Sequence, residues 1–131
     1  MRGGAGRPYN PSVQSVDLLV IGAHPDDAEI SCGGWLLAAA AAGYRTAVCD
    51  LSAGEAGTRG SAEIRRRESL LAARRLGLSE RAQLGLPDGR VTADLSTRDA
   101  VAGVIRRLAP RVVAAPYPRD HHPDHEACAR I

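Results

Sequence analysis

Val16-Asp17-Leu18-Leu19-Val20-Ile21-Gly22-Ala23-His24-Pro25-Asp26-Asp27 is the stretch that decides the fold. Its first seven residues form a short, mostly apolar run that closes on glycine. A strand buried in a parallel sheet reads this way, because helices cover both of its faces and polar alternation is not needed. The polar segment His24 to Asp27 then falls just past the carboxyl end of that strand. Asp27 to Ala42 is rich in Ala and Leu and stops at Gly43, the signature of a helix ended by glycine.

Outward from there the pattern repeats. Thr46 to Leu51 reads as a second strand, and Ser52 to Gly60 as a loop carrying Gly54, Gly57 and Gly60. Ser61 to Leu76 is predicted as a helix with apolar Ile64, Leu70, Leu71 and Leu76, ended by Gly77. Ala82 to Leu86 reads as a short strand before the turn Pro87-Asp88-Gly89. Ser96 to Ala109 reads as a helix halted by Pro110, and Val112 to Ala115 as a fourth strand. The loop Pro116 to Asp124 follows, and a last helix begins near His125. This alternation predicts an α/β, Rossmann-like three-layer sandwich with a mainly parallel sheet and right-handed crossovers. Residues 1–15 are rich in Gly, Pro and Arg and read as a disordered leader; residues 16–131 read as one domain. The chain stops a short way into the last helix, so that domain is expected to be incomplete at its C-terminal end.

Composition narrows the chemistry. With 131 residues the chain fits one small domain. Hydrophobic residues are 44% and aromatics 3%, so the core must be built from Ala, Leu, Val and Ile. All 17 basic residues are Arg. The absence of Lys excludes a P-loop and a Schiff-base mechanism. No G-x-S-x-G is present, which argues against a serine hydrolase. The formal net charge is +2, without a basic stripe interleaved with aromatics, which argues against nucleic acid as a partner. Cys32, Cys49 and Cys128 fit neither a disulfide framework nor a C-x-x-C site, and are expected to be buried free thiols in a reducing cytosol. The longest apolar stretch, Trp35 to Ala42, is too short to cross a bilayer. Trp35 itself reads as a core or helix-packing residue.

The chain has four histidines, His24, His121, His122 and His125. All fall in Ala23-His24-Pro25-Asp26-Asp27 and Asp120-His121-His122-Pro123-Asp124-His125. Each segment follows a predicted strand, the first and the fourth. In a doubly wound sheet those strands become neighbours, and the crevice between their carboxyl ends is the expected site. Imidazole and carboxylate together suit Zn²⁺ or Fe²⁺. A catalytic zinc site uses three protein ligands, and His24, Asp27 and His125 can supply them. Asp26, beside a ligand but free, is a candidate base for a water made acidic by the metal. His122 can donate a proton to a leaving group or stabilise an oxyanion, with Asp124 orienting its ring. Glu55 and Arg59, on the glycine loop at the rim, are candidate substrate contacts, Arg59 as a clamp for a carboxylate or hydroxyl; a flexible turn with a solvated Arg is the alternative. Arg65-Arg66-Arg67 reads as a solvated helix face. Pro87-Asp88-Gly89 reads as a turn rather than a ligand.

These segments resemble the LmbE-like, or PIG-L-type, zinc-dependent deacetylase family. The matching residues are Gly22-Ala23-His24-Pro25-Asp26-Asp27-Ala28-Glu29, Cys32-Gly33-Gly34, Gly54-Glu55-Ala56-Gly57-Thr58-Arg59-Gly60, Leu86-Pro87-Asp88-Gly89 and His122-Pro123-Asp124-His125. The glycine loop and L-P-D-G look most like the bacillithiol-biosynthesis branch, which deacetylates N-acetylglucosaminyl-malate. The resemblance implies a Rossmann-like fold, His24, Asp27 and His125 as zinc ligands, and Asp26 as general base. It implies that His122, supported by Asp124, stabilises the transition state. It also implies a small N-acetyl-sugar substrate, a cytoplasmic location and a homo-oligomer, hexameric in that branch. A malate carboxylate would give Arg59 its partner. Two departures stand out. His121 replaces the Arg usual in that branch and is expected to be a rim side chain, and family members continue well past the point matching Ile131. The alternative readings are a catalytically incomplete metal- or partner-binding α/β fragment and a metal phosphoesterase. The phosphoesterase would need a second metal, for which the sequence offers only Asp120, His121 and Asp124 as spare ligands.

Overall fold

A computed structural model describes residues 15–131. The leader expected over residues 1–15 therefore lies outside the described residues except for Ser15. The elements run β1 (Leu18–Gly22), α1 (Asp27–Ala41), β2 (Thr46–Ser52), α2 (Ala62–Leu76), β3 (Glu80–Leu86), α3 (Leu95–Leu108), β4 (Val112–Ala114) and α4 (Pro123–Arg130). The four strands form one sheet in the order β3-β2-β1-β4, and every pairing is parallel. This is the α/β sandwich anticipated from the sequence. The chain winds outward from β1 to β3, then α3 carries it back to lay β4 on the other edge of β1. Leu18, Leu19 and Val20 of β1 lie opposite Val112, Val113 and Ala114 of β4.

β1 and β2 are largely apolar because both of their faces are covered, and every residue in them is buried. Side chains alternate between the faces. Leu18, Val20 and Val48 join Ala28 and Leu36 of α1 and Leu76 of α2 in one core. Leu19, Ile21, Ala47, Cys49 and Leu51 join Val101, Val104 and Leu108 of α3 and Cys128 of α4 in the other. Helices α1 and α2 thus cover one side and α3 and α4 the other. No described helix is long and apolar enough to cross a membrane.

Local signals set the helix ends. Ser61 caps α2 by accepting the Ile64 N–H at 3.2 Å, and Asp94 caps α3 by accepting the Thr97 N–H at 2.9 Å. Helix α4 begins at Pro123, two residues ahead of the expected start, because proline needs no hydrogen-bond acceptor in a first turn. Strand β3 begins two residues early, at Glu80, because a polar pair there is held by partners rather than by apolar burial. Arg81 is buried and ion-paired to Asp50 of β2 and Glu29 of α1, and it donates to the Ser69 carbonyl of α2. Trp35 is half exposed rather than in the core, and Cys32 is only part-buried, whereas Cys49 and Cys128 are buried. Their burial pushes both of those thiols up to about 12, which makes them inert at neutral pH.

Arg81 ties its strand to β2, α1 and α2. Replacing it leaves the Asp50 carboxylate, 1% exposed, without its cation. Arg81→Met is expected to lose about 3–5 kcal/mol of unfolding free energy in a urea titration, the range for breaking a buried pair from one side. A loss within the roughly 0–1 kcal/mol of an exposed pair would contradict this account of the Arg81 cluster.

Candidate metal centre

The turn from β1 into α1 carries the first half of the site. Gly22 closes β1, and a Cβ placed there would lie 2.9 Å from the Asp27 Cβ, so only glycine lets the helix fold back this closely. Asp26 stands at the helix start with φ 125°, a backbone conformation that non-glycine residues rarely adopt. Such strain costs on the order of 1–3 kcal/mol and persists where surrounding structure dictates it. The His24 N–H donates to Asp27 Oδ2 at 2.9 Å, which pulls the carboxylate back toward the strand end.

The second half arrives with β4 and α4. His125 Nε2 lies 3.2 Å from Asp27 Oδ2, and His24 Nδ1 lies 3.6 Å from the same oxygen. One ligand atom from each of His24, Asp27 and His125 falls within a mutual 4.8 Å. Tetrahedral zinc with bonds near 2.0–2.2 Å places its ligand atoms about 3.3 Å apart, so these donors fit such an ion. His24, His122 and Asp124 also lie together, and the rings of His122 and His125 stack at 4.8 Å. The structure therefore brings together His24, Asp26, Asp27, His122, Asp124 and His125.

Asp124 is placed differently from the sequence expectation. Its carboxylate does not orient the His122 ring. Instead Oδ2 accepts from His24 Nε2 at 2.8 Å and from the Gly89 N–H at 2.7 Å, and Oδ1 accepts from the Val91 N–H at 3.0 Å. Burial would raise its pKa, but the His24 bond and the two backbone donors outweigh this and keep it lowered. Asp124 meets His122 through the backbone, its N–H donating to His122 Nδ1 at 3.1 Å. With Nδ1 accepting, a neutral His122 carries its proton on Nε2, the nitrogen free to donate.

The sequence presents Asp88 as a turn residue only. It is part of a turn, with the Arg90 N–H donating to the Pro87 carbonyl, but Oδ1 also lies 3.1 Å from His24 Nε2. Its Oδ2 accepts the Ala56 N–H at 2.8 Å, while its own N–H donates to Glu55 Oε1 at 2.8 Å. This reciprocal pair locks the glycine loop to the 87–89 turn. Glu55, a candidate substrate contact, thus serves as one half of that lock, and its pKa is lowered chiefly by the Asp88 N–H. Arg59 is exposed on the same loop. Arg65 departs from the solvated face expected for it and its neighbours, because its guanidinium lies over the loop. A Cβ on Gly54 would come within 2.5 Å of Arg65 Nη1, and one on Gly57 within 3.1 Å of Nε. Arg65 lines a crevice of about 300 Å³ together with His24, Asp26, Asp88 and His122. No sequence signal distinguishes Arg65 from Arg66 and Arg67; only the helical phase of α2 relative to the loop does so.

The acids of the first turn are shifted in opposite directions. Burial raises the pKa of Asp26, helped by the charge of Asp27 and opposed by Arg65. Asp27 is also desolvated, but the His24 side chain and N–H and the charge of His125 keep its pKa lowered. His24 is pushed up to about 9, first by the Asp27 carboxylate and further by Asp124 and Asp88, against the opposing effect of burial.

Fold and site define a class: α/β proteins whose His and Asp side chains gather at the β1/β4 switch point in a set suited to a divalent cation. The family model described as PIG-L, GlcNAc-PI de-N-acetylase, matches residues 19–131, and the chain belongs to that family. Among solved structures, the conserved protein TT1542 of Thermus thermophilus is 48% identical with a TM-score of 0.84, over 88% of this chain and 52% of its own. The N,N'-diacetylchitobiose deacetylase of Pyrococcus horikoshii is 29% identical with a TM-score of 0.80, over 87% and 46%. GalB, the 4-carboxy-2-hydroxymuconate hydratase of Pseudomonas putida KT2440, is 29% identical with a TM-score of 0.78, over 87% and 52%. The chain therefore spans about half the length of each of these proteins.

A cation entering among His24, Asp27 and His125 must displace the proton that His24 holds. Because the pKa of His24 is raised, that proton is present below about 9 and absent above it, so cation affinity should climb with pH up to that value. At pH 7, zinc titration followed in buffers of different ionisation enthalpy is expected to release about one proton per ion bound. Release near zero would mean that His24 is already neutral or is not displaced.

Proposed function

We propose that this chain carries the metal-binding part of an N-deacetylase that hydrolyses the N-acetyl amide of an N-acetylglucosamine conjugate to acetate and a free amine. The observation that carries this reading is the convergence of His24, Asp27 and His125 beside Asp26, a carboxyl group whose burial raises its affinity for a proton. Membership of the PIG-L family and the likeness to a diacetylchitobiose deacetylase support it.

His24, Asp27 and His125 would hold the ion, Zn²⁺ or Fe²⁺. When bound, such an ion supplies Lewis acidity that makes water a nucleophile near neutral pH. Asp124 and Asp88 hold His24 through Nε2, which leaves Nδ1 facing Asp27. Asp26 takes a proton from the attacking water as the new C–O bond forms. The Nε2–H of His122 donates to the carbonyl oxygen as negative charge builds there. The proton held by Asp26 then passes to the departing nitrogen as the C–N bond breaks, which releases the amine and leaves Asp26 ready for another turnover. Arg65 lines the crevice, and Arg59 is exposed on the adjoining loop. Either suits the carboxylate of N-acetylglucosaminyl-malate, the substrate we assign on the strength of the loop and turn motifs. The same reading makes the protein a cytoplasmic homo-oligomer of thiol-cofactor (bacillithiol) biosynthesis.

Asp26→Ala is expected to keep about one zinc per chain while amine release from N-acetylglucosaminyl-malate falls by roughly 10²–10⁴-fold, the range for a lost general base. His125→Ala is expected to lose both metal and activity. Metal analysis paired with an amine assay reads both. Full activity in Asp26→Ala would refute the base. Zinc binding without amine release in the unsubstituted chain would leave the metal site standing and favour the catalytically incomplete α/β fragment over an active deacetylase.

A further inference from the structure

Asp120 has no role in the reading above. It lies in the loop between β4 and α4, five residues before His125. Its Oδ2 is 3.1 Å from His125 Nδ1, and its Oδ1 accepts the His122 N–H at 2.8 Å. The Asp120 N–H is in turn held by Glu126 Oε1 of α4 at 3.3 Å. One carboxylate thus grips two of the histidines that the loop delivers.

The arrangement repeats on the other side of the cluster. His24 presents Nδ1 toward Asp27 and gives Nε2 to Asp124. His125 presents Nε2 toward Asp27 and gives Nδ1 to Asp120. Each imidazole is therefore held between the shared Asp27 carboxylate inside the cluster and carboxylate outside it, from Asp124 and Asp88 for His24 and from Asp120 for His125. A carboxylate on the outer nitrogen fixes the ring's orientation and tautomer and makes the inner nitrogen a better donor. Asp124 and Asp120 differ in setting. Asp124 is buried and accepts two backbone N–H groups, so it also holds the 89–91 segment. Asp120 is exposed, and its bonds all go to its own segment. Removing it should therefore disturb His125 and His122 while leaving the fold intact.

We propose that Asp120 is the positioning residue for His125, turning the ring so that Nε2 meets the cation and fixing the register of His122 beside it. The inference rests on the metal-site reading, through His125 as a ligand. It requires the His125 Nδ1–H to donate to Asp120 with or without the ion, so it can be tested in both states.

The experiment compares the unsubstituted chain with Asp120→Ala and Asp120→Asn. Zinc dissociation constants come from competition with a chromophoric chelator, and the His125 Nδ1–H is followed by ¹⁵N-resolved NMR. Asp120→Ala is expected to weaken zinc by about 10–100-fold, the range for loss of an outer carboxylate, with thermal unfolding of the metal-free protein unchanged. The Nδ1–H, slowed in exchange by Asp120, should then exchange too fast to be seen. Asp120→Asn keeps one acceptor of two and should recover part of the affinity. Unchanged zinc affinity together with an unchanged Nδ1–H in Asp120→Ala overturns the proposal. If the unsubstituted chain binds no zinc but loses the Nδ1–H signal on Asp120→Ala, the metal-site reading falls and the positioning contact stands. A drop in unfolding temperature with no change in exchange assigns Asp120 a structural role instead and also overturns the proposal.

Discussion

Strand β1 is hydrogen-bonded along both edges, to β2 on one side and to β4 on the other, and the site depends on that pairing. Residues about a hundred positions apart in sequence meet because Leu18–Val20 lies in register with Val112–Ala114. That register lets the two strands end at a common level, from which His24 and His125 reach the same carboxylate of Asp27. A parallel pair needs a long connection, and here the connection is the whole outward-and-back path through α1, β2, α2, β3 and α3. The return over the opposite face is what opens a crevice between β1 and β4 rather than between β1 and β2.

Around that crevice carboxylates hold the loops, in addition to the apolar packing of Val91 into the core. Asp124 binds His24 and two backbone N–H groups of the 89–91 segment. Asp88 and Glu55 exchange hydrogen bonds between that segment and the glycine loop. Ser52 ties the end of β2 to the residue after β1, its N–H and hydroxyl both donating to the Ala23 carbonyl at 2.9 and 3.0 Å. A buried carboxylate without such donors would be driven to protonate. The same donors that satisfy these acids also aim Asp124 and Asp88 at His24.

The sheet and the cluster were legible in the sequence for a simple reason. VDLLVIG and TAVCDL carry the apolar signature of strands covered on both sides, and every histidine follows a strand end. What stayed hidden needs the third dimension. Nothing in the sequence singles out Arg81, whose partners Asp50 and Glu29 lie in other elements, and Asp88 reads as turn chemistry until His24 comes within reach. The partner of Asp124 is not its neighbour His122 but a histidine a hundred residues away, which spacing along one segment cannot reveal. Arg65 differs from Arg66 only in helical phase. Trp35 looks like a core residue by type, yet it stands half exposed on α1. Pairwise contacts between polar groups distant in sequence leave no local periodicity.

The left-handed backbone at Asp26 has an evolutionary consequence. Glycine would sit there without strain, so drift toward a more stable protein favours the loss of that side chain. On the proposed role of Asp26 as general base, pressure for thermostability and pressure for catalysis would pull in opposite directions at a single codon. A descendant released from its chemical task would be expected to relax this position early, leaving a sturdier fold and an idle cluster of ligands beside it.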